Sequence, residues 1–370
     1  KVNYWTGIEC RKIEDEFATF SQANYAVALS NGTVSIDVAL KALGLGKGDE
    51  IIVTSRTFIA TVSAIVNAGA IPVFADVNCN SQNIDHNSIK NVLTKKTKAI
   101  VCVHLAGWPC DMDPIIKLGN KHGLYIIEDC AQAHGAKYKG RPVGAIGDIG
   151  CWSFCQDKII TTGGEGGMVT TNDRKLWSKM WSYKDHGKSW EAVYENMHPP
   201  GFKWLHDSFG TNWRMTEIQA AIGRIQLRRI SVWSSKRQDY AKQIRSAANE
   251  TNCLSAPDPR CEDCSIGVKI DKKCCTHASY KCYVFVNGSI KKRDSIMSAI
   301  NARGVPCSQG SCSEVYLEKA FDSTEFRPPK RLPVAKKLGE SSLMFLCHPS
   351  LTQEEIDKTC HVIKSVCNNS

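Results

Sequence analysis

Short apolar runs alternate with helical patterns through the first 230 residues of the chain. Short apolar runs bounded by turn residues are typical of buried strands, whereas apolar residues spaced three and four apart predict helices. Candidate helices between the runs include residues 34–43 and 114–121. The candidate strands are residues 27–30, 51–54, 71–74, 99–104, 125–128 and 150–154. This alternation predicts an α/β domain with a mostly parallel sheet.

The spacing of polar and apolar residues also indicates where this first domain ends. Thr216 and Gln219 have the spacing of a capping box, and apolar residues at helical intervals follow them. In a capping box the two side chains satisfy free backbone N–H groups at the start of a helix. The sequence therefore predicts a long helix after Thr216 that closes the first domain.

The C-terminal part of the chain mixes strand and helix signals. Residues 283–286 favour a strand, and a Thr-x-x-Glu pattern at Thr352 predicts the start of a final helix. We expect a large α/β domain over residues 14–230 and a smaller α+β domain over residues 231–370, with residues 1–13 packed alongside the smaller domain.

Composition places the chain among ordinary globular proteins. Of its 370 residues, 42% are hydrophobic and 23% are charged, which excludes the collagen-like, coiled-coil and disordered classes. No apolar stretch reaches the roughly 18 residues that a membrane-spanning helix needs. The net charge of +10 is scattered and no nucleic-acid motif accompanies it, so we expect a dispersed basic surface without a nucleic-acid partner. The same charge is compatible with an acidic small substrate.

Eighteen cysteines are an unusual number for such a chain. No charged-then-apolar leader opens the sequence, so we expect a cytoplasmic protein whose thiols stay reduced. Cysteines within apolar runs should behave as small hydrophobes; these are Cys102, Cys130, Cys151 and Cys347. A second group could hold zinc or form a loop with unligated thiols, and we favour the loop and no metal; it comprises Cys253, Cys261, Cys264, Cys274, Cys275 and Cys282.

Four segments at the ends of candidate strands carry residues suited to chemistry, and ligands of open α/β sheets bind at such ends. The first, residues 30–33, reads Ser-Asn-Gly-Thr and opens a helix. The free N–H groups there suit a phosphate, although Asn31 and Thr33 could simply cap the helix. In the second segment, Asp129 is either a helix cap or a buried anion that faces a cation. Gln132 lies one helical turn further on, so both side chains can face one ligand.

The third segment places Lys158 between an apolar strand and a glycine-rich loop at residues 163–167. A lysine in this setting is a candidate for Schiff-base chemistry, and a solvated surface lysine is the alternative. The fourth segment places Asn212 before the long helix, where it could be no more than a cap. A phosphate-binding turn, a carboxylate, a side-chain amide and a lysine thus follow one another along the chain. Together they are the groups that pyridoxal 5′-phosphate (PLP) needs.

With these residues the chain resembles the DegT/DnrJ/EryC1/StrS family of PLP-dependent nucleotide-sugar aminotransferases, nearly from end to end. The resemblance implies the aspartate aminotransferase fold (fold type I), with a mostly parallel seven-stranded sheet in the large domain. It also implies a homodimer with shared active sites. The matching segments are residues 30–33, 48–52, 57–58, 103–107, 128–136, 153–154, 164–167 and 212–215, together with Lys158.

The resemblance further implies a role for each matching residue. Lys158 would hold the cofactor as an internal aldimine and move the proton between cofactor and substrate. Asp129 would pair with the pyridine nitrogen and Gln132 would contact the ring hydroxyl. Phe58 would stack on the ring, unless it packs in the core. The remaining cofactor contacts would come from Asn31, Gly32, Thr33 and Ser153, the last three at the phosphate.

Two more residues follow from the same resemblance. Asn212 would reach the phosphate of the partner subunit's cofactor, and His186 corresponds to a family position near the sugar. Three features depart from the family pattern: the sequence of residues 31–35, a glycine loop one residue longer than usual, and the insertion at residues 261–275. The insertion affects what we expect of the smaller domain and not of the cofactor site.

The activity implied by the resemblance is transamination. L-Glutamate would convert PLP to pyridoxamine 5′-phosphate (PMP), and PMP would aminate a keto group of a nucleotide-linked keto-6-deoxysugar, with C4 favoured over C3. Such reactions serve deoxyamino sugar biosynthesis, including that of lipopolysaccharide O-antigens. The sequence leaves open whether the nucleotide is UDP, dTDP or GDP and whether the sugar is N-acetylated.

Two other functions compete with this interpretation. A PLP- or PMP-dependent nucleotide-sugar dehydratase of the same family would carry histidine in place of the Schiff-base lysine, whereas Lys158 is present here. A non-catalytic binding or regulatory protein on the same fold would be expected to have lost cofactor residues, yet every such position is filled.

Overall fold

The computed structural model describes residues 7–258 and 275–368. Its centre is a seven-stranded sheet of mostly parallel strands, which confirms the predicted α/β class. In chain order the strands are β1 (Tyr25–Leu29), β2 (Glu50–Thr54), β3 (Ile71–Ala75), β4 (Thr97–Val103), β5 (Tyr125–Asp129), β6 (Lys137–Tyr138), β7 (Arg141–Pro142), β8 (Ile149–Ser153), β9 (Gly167–Thr171), β10 (Leu254–Ser255), β11 (Cys282–Val286), β12 (Cys307–Ser308) and β13 (Ser342–Phe345).

The large sheet has the strand order β1-β9-β8-β5-β4-β2-β3. Its central pairings, from β3 through β2, β4 and β5 to β8, are parallel, and β9 pairs antiparallel with both β1 and β8. Strands β1 and β8 therefore run in the same direction. The residues that follow β1, β2, β4, β5 and β8 consequently meet at one edge of the sheet, where open α/β sheets bind ligands.

All six strands predicted for the first domain form, and their ends differ from the prediction by at most two residues. Strand β9 is the strand of the large sheet that the sequence analysis missed. The glycine-rich loop runs directly into it, and the turn signal of those glycines concealed the β-branched residues at 169–171, which favour a strand.

Helices cover both faces of the large sheet. Ile51 and Val53 of β2 face a core built with α2 and α3, whereas Ile52 faces a second core built with α4 and α5. This alternation is the two-residue period of a strand buried on both sides. The helices are α1 (Glu9–Ser21), α2 (Gly32–Ala42), α3 (Ile59–Asn67), α4 (His86–Val92), α5 (Met112–His122), α6 (Arg174–Lys184), α7 (Trp190–Tyr194), α8 (Glu217–Asn249), α9 (Ile290–Ala302), α10 (Pro333–Ser341) and α11 (Gln353–Asn368), and short 3-10 turns span Leu105–Gly107, Val315–Leu317 and Lys319–Phe321.

Helix α8 begins at the predicted capping box but extends further than expected. Thr216 Oγ1 accepts the N–H of Gln219 at 3.3 Å, and Gln219 Oε1 accepts the N–H of Thr216 at 2.9 Å. The helix then runs for 33 residues, and its C-terminal half packs Tyr240 and Ile244 into the core of the second sheet. The proposed domain boundary at residue 230 lies inside this helix and stays a prediction.

Helix α1 packs against the N-terminal half of α8 and the large sheet. Ile13 and Phe17 are fully buried in a core shared with Trp152 of β8, and Arg224 of α8 binds Glu16 of α1. Residues 1–6 lie outside the described part of the chain, and the placement predicted for residues 1–13 stays untested.

The second sheet has the order β10-β11-β13-β12 with antiparallel pairings throughout. Helices α9 and α11 pack on it, and α11 starts at the predicted cap, where Thr352 Oγ1 accepts the N–H of Glu355 at 3.3 Å. Cys253 and Cys282 are buried in this core. The predicted thiol loop falls largely outside the described residues, which omit Cys261, Cys264 and Cys274.

Hydrogen bonds hold the second part of the chain against the carboxyl edge of the large sheet. Asp76, which follows β3, accepts the first free N–H groups of α10, those of Val334 at 3.0 Å and Ala335 at 2.9 Å. The N–H of Val315 donates to the carbonyl of Ser55, after β2, at 2.7 Å. The second sheet therefore lies beside the edge where a ligand is expected. Across the described residues, none of the helices is both long and apolar enough to cross a membrane.

Candidate active site

The turn between β1 and α2 is both a helix cap and a candidate anion site. Asn31 Oδ1 accepts the N–H of Val34 at 3.1 Å, which confirms the capping interpretation. The N–H groups of Gly32 and Thr33, in the first turn of α2, have no partner within the helix. Capping and anion binding use different groups here, so the two interpretations are compatible.

Close packing around Gly32 brings the ends of three strands together. A Cβ on Gly32 would lie 2.4 Å from the Cβ of Ser153, at the end of β8. A Cβ on Gly167, at the start of β9, would lie 2.2 Å from the carbonyl oxygen of Asn31. Glycine is therefore required at both positions, and the Ser153 hydroxyl is held next to the start of α2. We call this arrangement of residues 31–33, Ser153 and Gly167 the cradle.

Asp129 is a buried anion and not a helix cap. It ends β5 with 7% of its surface exposed. Its Oδ2 accepts the hydroxyl of Thr61 at 2.9 Å, and its Oδ1 accepts the N–H of Ala131 at 3.1 Å. Burial raises the pKa of the Asp129 carboxyl above its usual range, and these hydrogen bonds and the charge of Lys158 act in the opposite direction. Lys158 thus supplies the cation that the sequence analysis anticipated.

Lys158 lies in the turn that follows β8, and its side chain is only 17% exposed. Its Nζ is 3.7 Å from Oδ1 of Asp157 and 5.2 Å from the centre of the Tyr280 ring. Lys158 is therefore mostly enclosed, which favours the Schiff-base interpretation over a solvated surface lysine, and its role stays a prediction.

Gln132 and Phe58 flank the same edge. Gln132 Oε1 accepts the N–H of Ala106 at 2.7 Å, which ties the turn after β5 to the turn after β4. Phe58 precedes α3 and is 70% exposed, so it is not packed in the core. An aromatic side chain this exposed is available to cover a flat ligand.

His186 and Asn212 are tied to this region through their backbones. The N–H of His186 donates to the carbonyl of Thr211 at 2.9 Å, and the N–H of Ser30 donates to the carbonyl of Trp213 at 2.9 Å. The segment that carries Asn212 therefore adjoins the cradle. The side chains of His186 and Asn212 are exposed on the surface of the subunit.

Glu128, next to Asp129, anchors the end of β5. Its carboxylate accepts the N–H groups of Gly144 at 2.9 Å and Gly147 at 2.7 Å and lies 3.1 Å from Nε2 of His104. Burial works to raise the pKa of Glu128, but His104 and these N–H groups outweigh it and hold the pKa below its usual range. The strand end that presents Asp129 is thereby fixed.

Sequence reasoning missed three residues of the site: Thr61, Asp157 and Tyr280. Thr61 lies 68 residues from the carboxylate it binds, and Tyr280 lies 123 residues from Asp157. Only Asp157 carried a local signal, since it is an acid directly beside the candidate lysine.

The donor set fits PLP. The cradle offers backbone N–H groups and a hydroxyl to a phosphate. Its segments can approach each other this closely because Gly32 and Gly167 have no side chain. Asp129 offers a buried carboxylate to a ring nitrogen, and Lys158 offers an amine on the neighbouring strand end. These are the groups that a PLP site requires.

Comparison with known proteins agrees with this geometry. Residues 2–364 match the model of the DegT/DnrJ/EryC1/StrS aminotransferase family. The chain belongs to this family. The resemblance inferred from the sequence is thus confirmed, and with it the assignment of the protein as an aminotransferase.

Three relatives illustrate the range of the family. The crystal structure of an aminotransferase from Psychrobacter cryohalolentis is 60% identical with a TM-score of 0.94, over 99% of this chain and 93% of that one. A GDP-perosamine synthase from Escherichia coli O157:H7 is 44% identical over 64% of this chain, a region that spans 63% of that relative. A UDP-N-acetyl-3-dehydro-alpha-D-glucosamine 3-aminotransferase from Acidithiobacillus ferrooxidans is 34% identical over 98% of this chain and 90% of its own length.

The cofactor is also established by this membership. NtdA from Bacillus subtilis, whose structure is described with bound cofactor PMP, is 26% identical with a TM-score of 0.84, over 99% of this chain and 78% of that one. The protein is a PLP-dependent aminotransferase of fold type I, as the resemblance implied.

A Gly32→Ala substitution tests the cradle. The added methyl would overlap Ser153, and relief of that contact would displace the turn that offers its N–H groups. Overpacking of this kind costs about 1–3 kcal/mol, so we expect the PLP affinity of the apoprotein to fall roughly tenfold or more. Titration with PLP, followed by absorbance, measures the affinity.

Two companion variants control this experiment. Gly46→Ala, in a turn before β2, should leave PLP affinity unchanged. Ser153→Ala, which removes the hydroxyl and keeps the Cβ beside Gly32, should weaken PLP binding without any overlap at Gly32. Wild-type affinity in Gly32→Ala would contradict the cradle.

Proposed function

We propose that the protein transfers the amino group of L-glutamate to the C4 keto group of a nucleotide-linked keto-6-deoxysugar. The observation that carries the proposal is the placement of Asp129 and Lys158 at neighbouring strand ends beside the cradle. A cytoplasmic location and a homodimer belong to the same proposal. In the cytoplasm, thiols such as Cys102 and Cys130 stay reduced.

The residues at the strand ends would divide the chemistry between them. When bound, PLP supplies an aldehyde carbon that can take up an amino group and a ring that withdraws electrons from the reacting carbon. Asp129 would hold a proton at the ring nitrogen, and Thr61 and Ala131 keep its two oxygens in place. Lys158 would bond the cofactor through Nζ and, once released, carry a proton at the same atom between the reacting carbons.

The other residues would bind and orient. The N–H groups of Gly32 and Thr33 and the hydroxyl of Ser153 would hold the phosphate, with Asn31 fixing the turn. Gln132 would face the ring hydroxyl. The Phe58 side chain is exposed, so it is available to stack on one face of the cofactor ring and cover it from solvent.

The sugar substrate is inferred from the relatives and from the charge of the chain. Two relatives are named for GDP-perosamine synthesis and for 3-amination of a UDP-linked sugar, which supports a nucleotide-linked substrate. The net charge of +10 suits a diphosphate. We place His186 near the sugar and assign the product to deoxyamino sugar biosynthesis for surface polysaccharides such as O-antigens.

Lys158 disfavours the dehydratase alternative, because a dehydratase of this family would carry histidine at this position, whereas the mostly enclosed residue here is a lysine. The amino-acid half of the reaction distinguishes the remaining functions. We expect L-glutamate to replace the visible absorption band of the loaded protein by the shorter-wavelength band of PMP, and Lys158→Ala to lose this response. A protein that never takes up PLP would overturn the enzyme assignment.

The position of amination is tested with keto sugars supplied to the PMP-loaded protein. A panel of 4-keto and 3-keto sugars linked to UDP, dTDP or GDP should regenerate the PLP spectrum only with 4-keto members. NMR of the product locates the new amino group. Amination at C3 would contradict the C4 assignment and leave the transaminase assignment intact.

A homodimer is supported by the surface beside His186 and Asn212. Residues 197–209 carry four exposed apolar side chains, Met197, Phe202, Trp204 and Phe209, each at least 78% exposed. The N–H of Ser208 donates to the carbonyl of Gly187, so this segment adjoins His186. Large apolar groups exposed together indicate an interface, and we propose that a second copy of the chain covers them.

Complementation between variants tests shared active sites. Lys158→Ala and Asn212→Ala subunits should each form weakly active homodimers. In a mixed dimer, one site would combine the intact Lys158 of one subunit with the intact Asn212 of the other. Unfolding and refolding an equal mixture should therefore recover about a quarter of wild-type activity. Activity equal to the mean of the two homodimers would contradict shared sites.

A further inference from the structure

Tyr280 and Asp157 form a hydrogen-bonded pair beside Lys158 that the roles above do not use. The Tyr280 hydroxyl donates to Oδ2 of Asp157. The other carboxylate oxygen of Asp157 lies 3.7 Å from Nζ of Lys158. The carboxylate therefore contacts both the phenol and the amine, one through each oxygen.

Tyr280 is held firmly by its surroundings. It is 5% exposed, its N–H donates to the carbonyl of Ala106 at 3.0 Å, and its own carbonyl accepts Nη1 of Arg237 at 3.3 Å. Ala106 is the residue whose N–H binds Gln132. The Asp157 side chain, by contrast, is 53% exposed and would sample several rotamers without this partner.

The surrounding charges favour an ionised Asp157 carboxylate and a protonated Tyr280 hydroxyl. Burial works to raise the pKa of Asp157, but the Tyr280 bond and the charges of Lys158 and Lys281 outweigh it and lower the pKa, so Asp157 is ionised at neutral pH. Burial, followed by the bond to Asp157, raises the pKa of Tyr280, so its hydroxyl stays a donor. The Tyr280 ring also has the Nζ of Lys158 and Lys281 within 5.2 and 4.9 Å of its centre.

We propose that Asp157 and Tyr280 are positioning residues for Lys158. Tyr280 holds the Asp157 carboxylate beside the amine, and the carboxylate directs the nitrogen and stabilises the positive charge that it carries. This inference rests on the proposed attachment of PLP to Lys158 and is independent of donor and sugar. Within the described part of the chain, the other charged or titratable groups that act on Lys158, Asp157 or Tyr280 include Asp129, His134, Cys155, Arg237, Lys281 and Tyr283.

Loss of the carboxylate should change the pH dependence of the bound cofactor's colour. The visible band of the loaded protein reports the charged form of the nitrogen, and an adjacent anion extends that form to higher pH. In Asp157→Asn we expect the pH midpoint of the band to fall by roughly one unit. In Tyr280→Phe, which keeps the ring and loses only the hydroxyl, the midpoint should fall by less.

The double variant tests whether Tyr280 acts through Asp157. Its midpoint should equal that of Asp157→Asn alone, because the hydroxyl has no carboxylate left to hold. A matched control exists elsewhere: Tyr138 donates its hydroxyl to Asp111 at 2.5 Å, and Asp111→Asn should leave the midpoint unchanged. Thermal melting confirms that each variant is folded, and Asp157→Ser replaces Asp157→Asn if the latter does not fold.

Two results would overturn the proposal. One is a wild-type midpoint in Asp157→Asn, and the other is a Tyr280→Phe shift that persists undiminished when Asp157 is already asparagine. The titration needs neither glutamate nor sugar, so a protein without transaminase activity still gives the answer. Absence of any PLP-dependent band in wild type would instead count against the attachment of PLP to Lys158, on which both proposals depend.

Discussion

The shared carboxyl edge of the parallel strands is the constraint on which the site depends. Side chains that are far apart in the chain converge there because β5 and β8 run side by side in the same direction. Strand β1 reaches the same edge through its antiparallel neighbour β9, which brings the start of α2 against Ser153. Buried strands hold these ends rigidly, so an anion, an amine and a phosphate cradle can be kept at fixed separations. Catalysis by electrostatic preorganisation requires such rigidity.

Burial gives each group at this edge its chemical character. Asp129 is withdrawn from water yet keeps two hydrogen bonds, which suits a carboxylate that must share a proton with a ring nitrogen. Neighbouring Glu128 is saturated by His104 and backbone N–H groups and has a structural role. Two adjacent carboxylates thus differ in function because their hydrogen-bond partners differ. The segment that precedes β11 completes the enclosure by placing Tyr280 beside Lys158.

Sequence patterns over a few residues predicted the features that local interactions determine. The six strands, the capping box at Thr216 and the residues at strand ends all follow from periodicity and turn chemistry within a few residues. Strand β9 was missed because glycine signals dominated its start, and the length of α8 was missed because its second half is stabilised by a different core. Thr61 and Tyr280 join the site only through tertiary folding. No spacing rule along the chain could have paired them with Asp129 and Asp157.

We propose that Lys158, and no other amine, bonds the cofactor. Reduction of the PLP-loaded protein with borohydride, followed by proteolysis and peptide mass spectrometry, tests this attachment directly, because reduction fixes the cofactor to the amine that holds it. We expect the added mass on Lys158 alone and none in Lys158→Ala. A label on Lys281, whose ammonium approaches the same Tyr280 ring, would contradict attachment at Lys158.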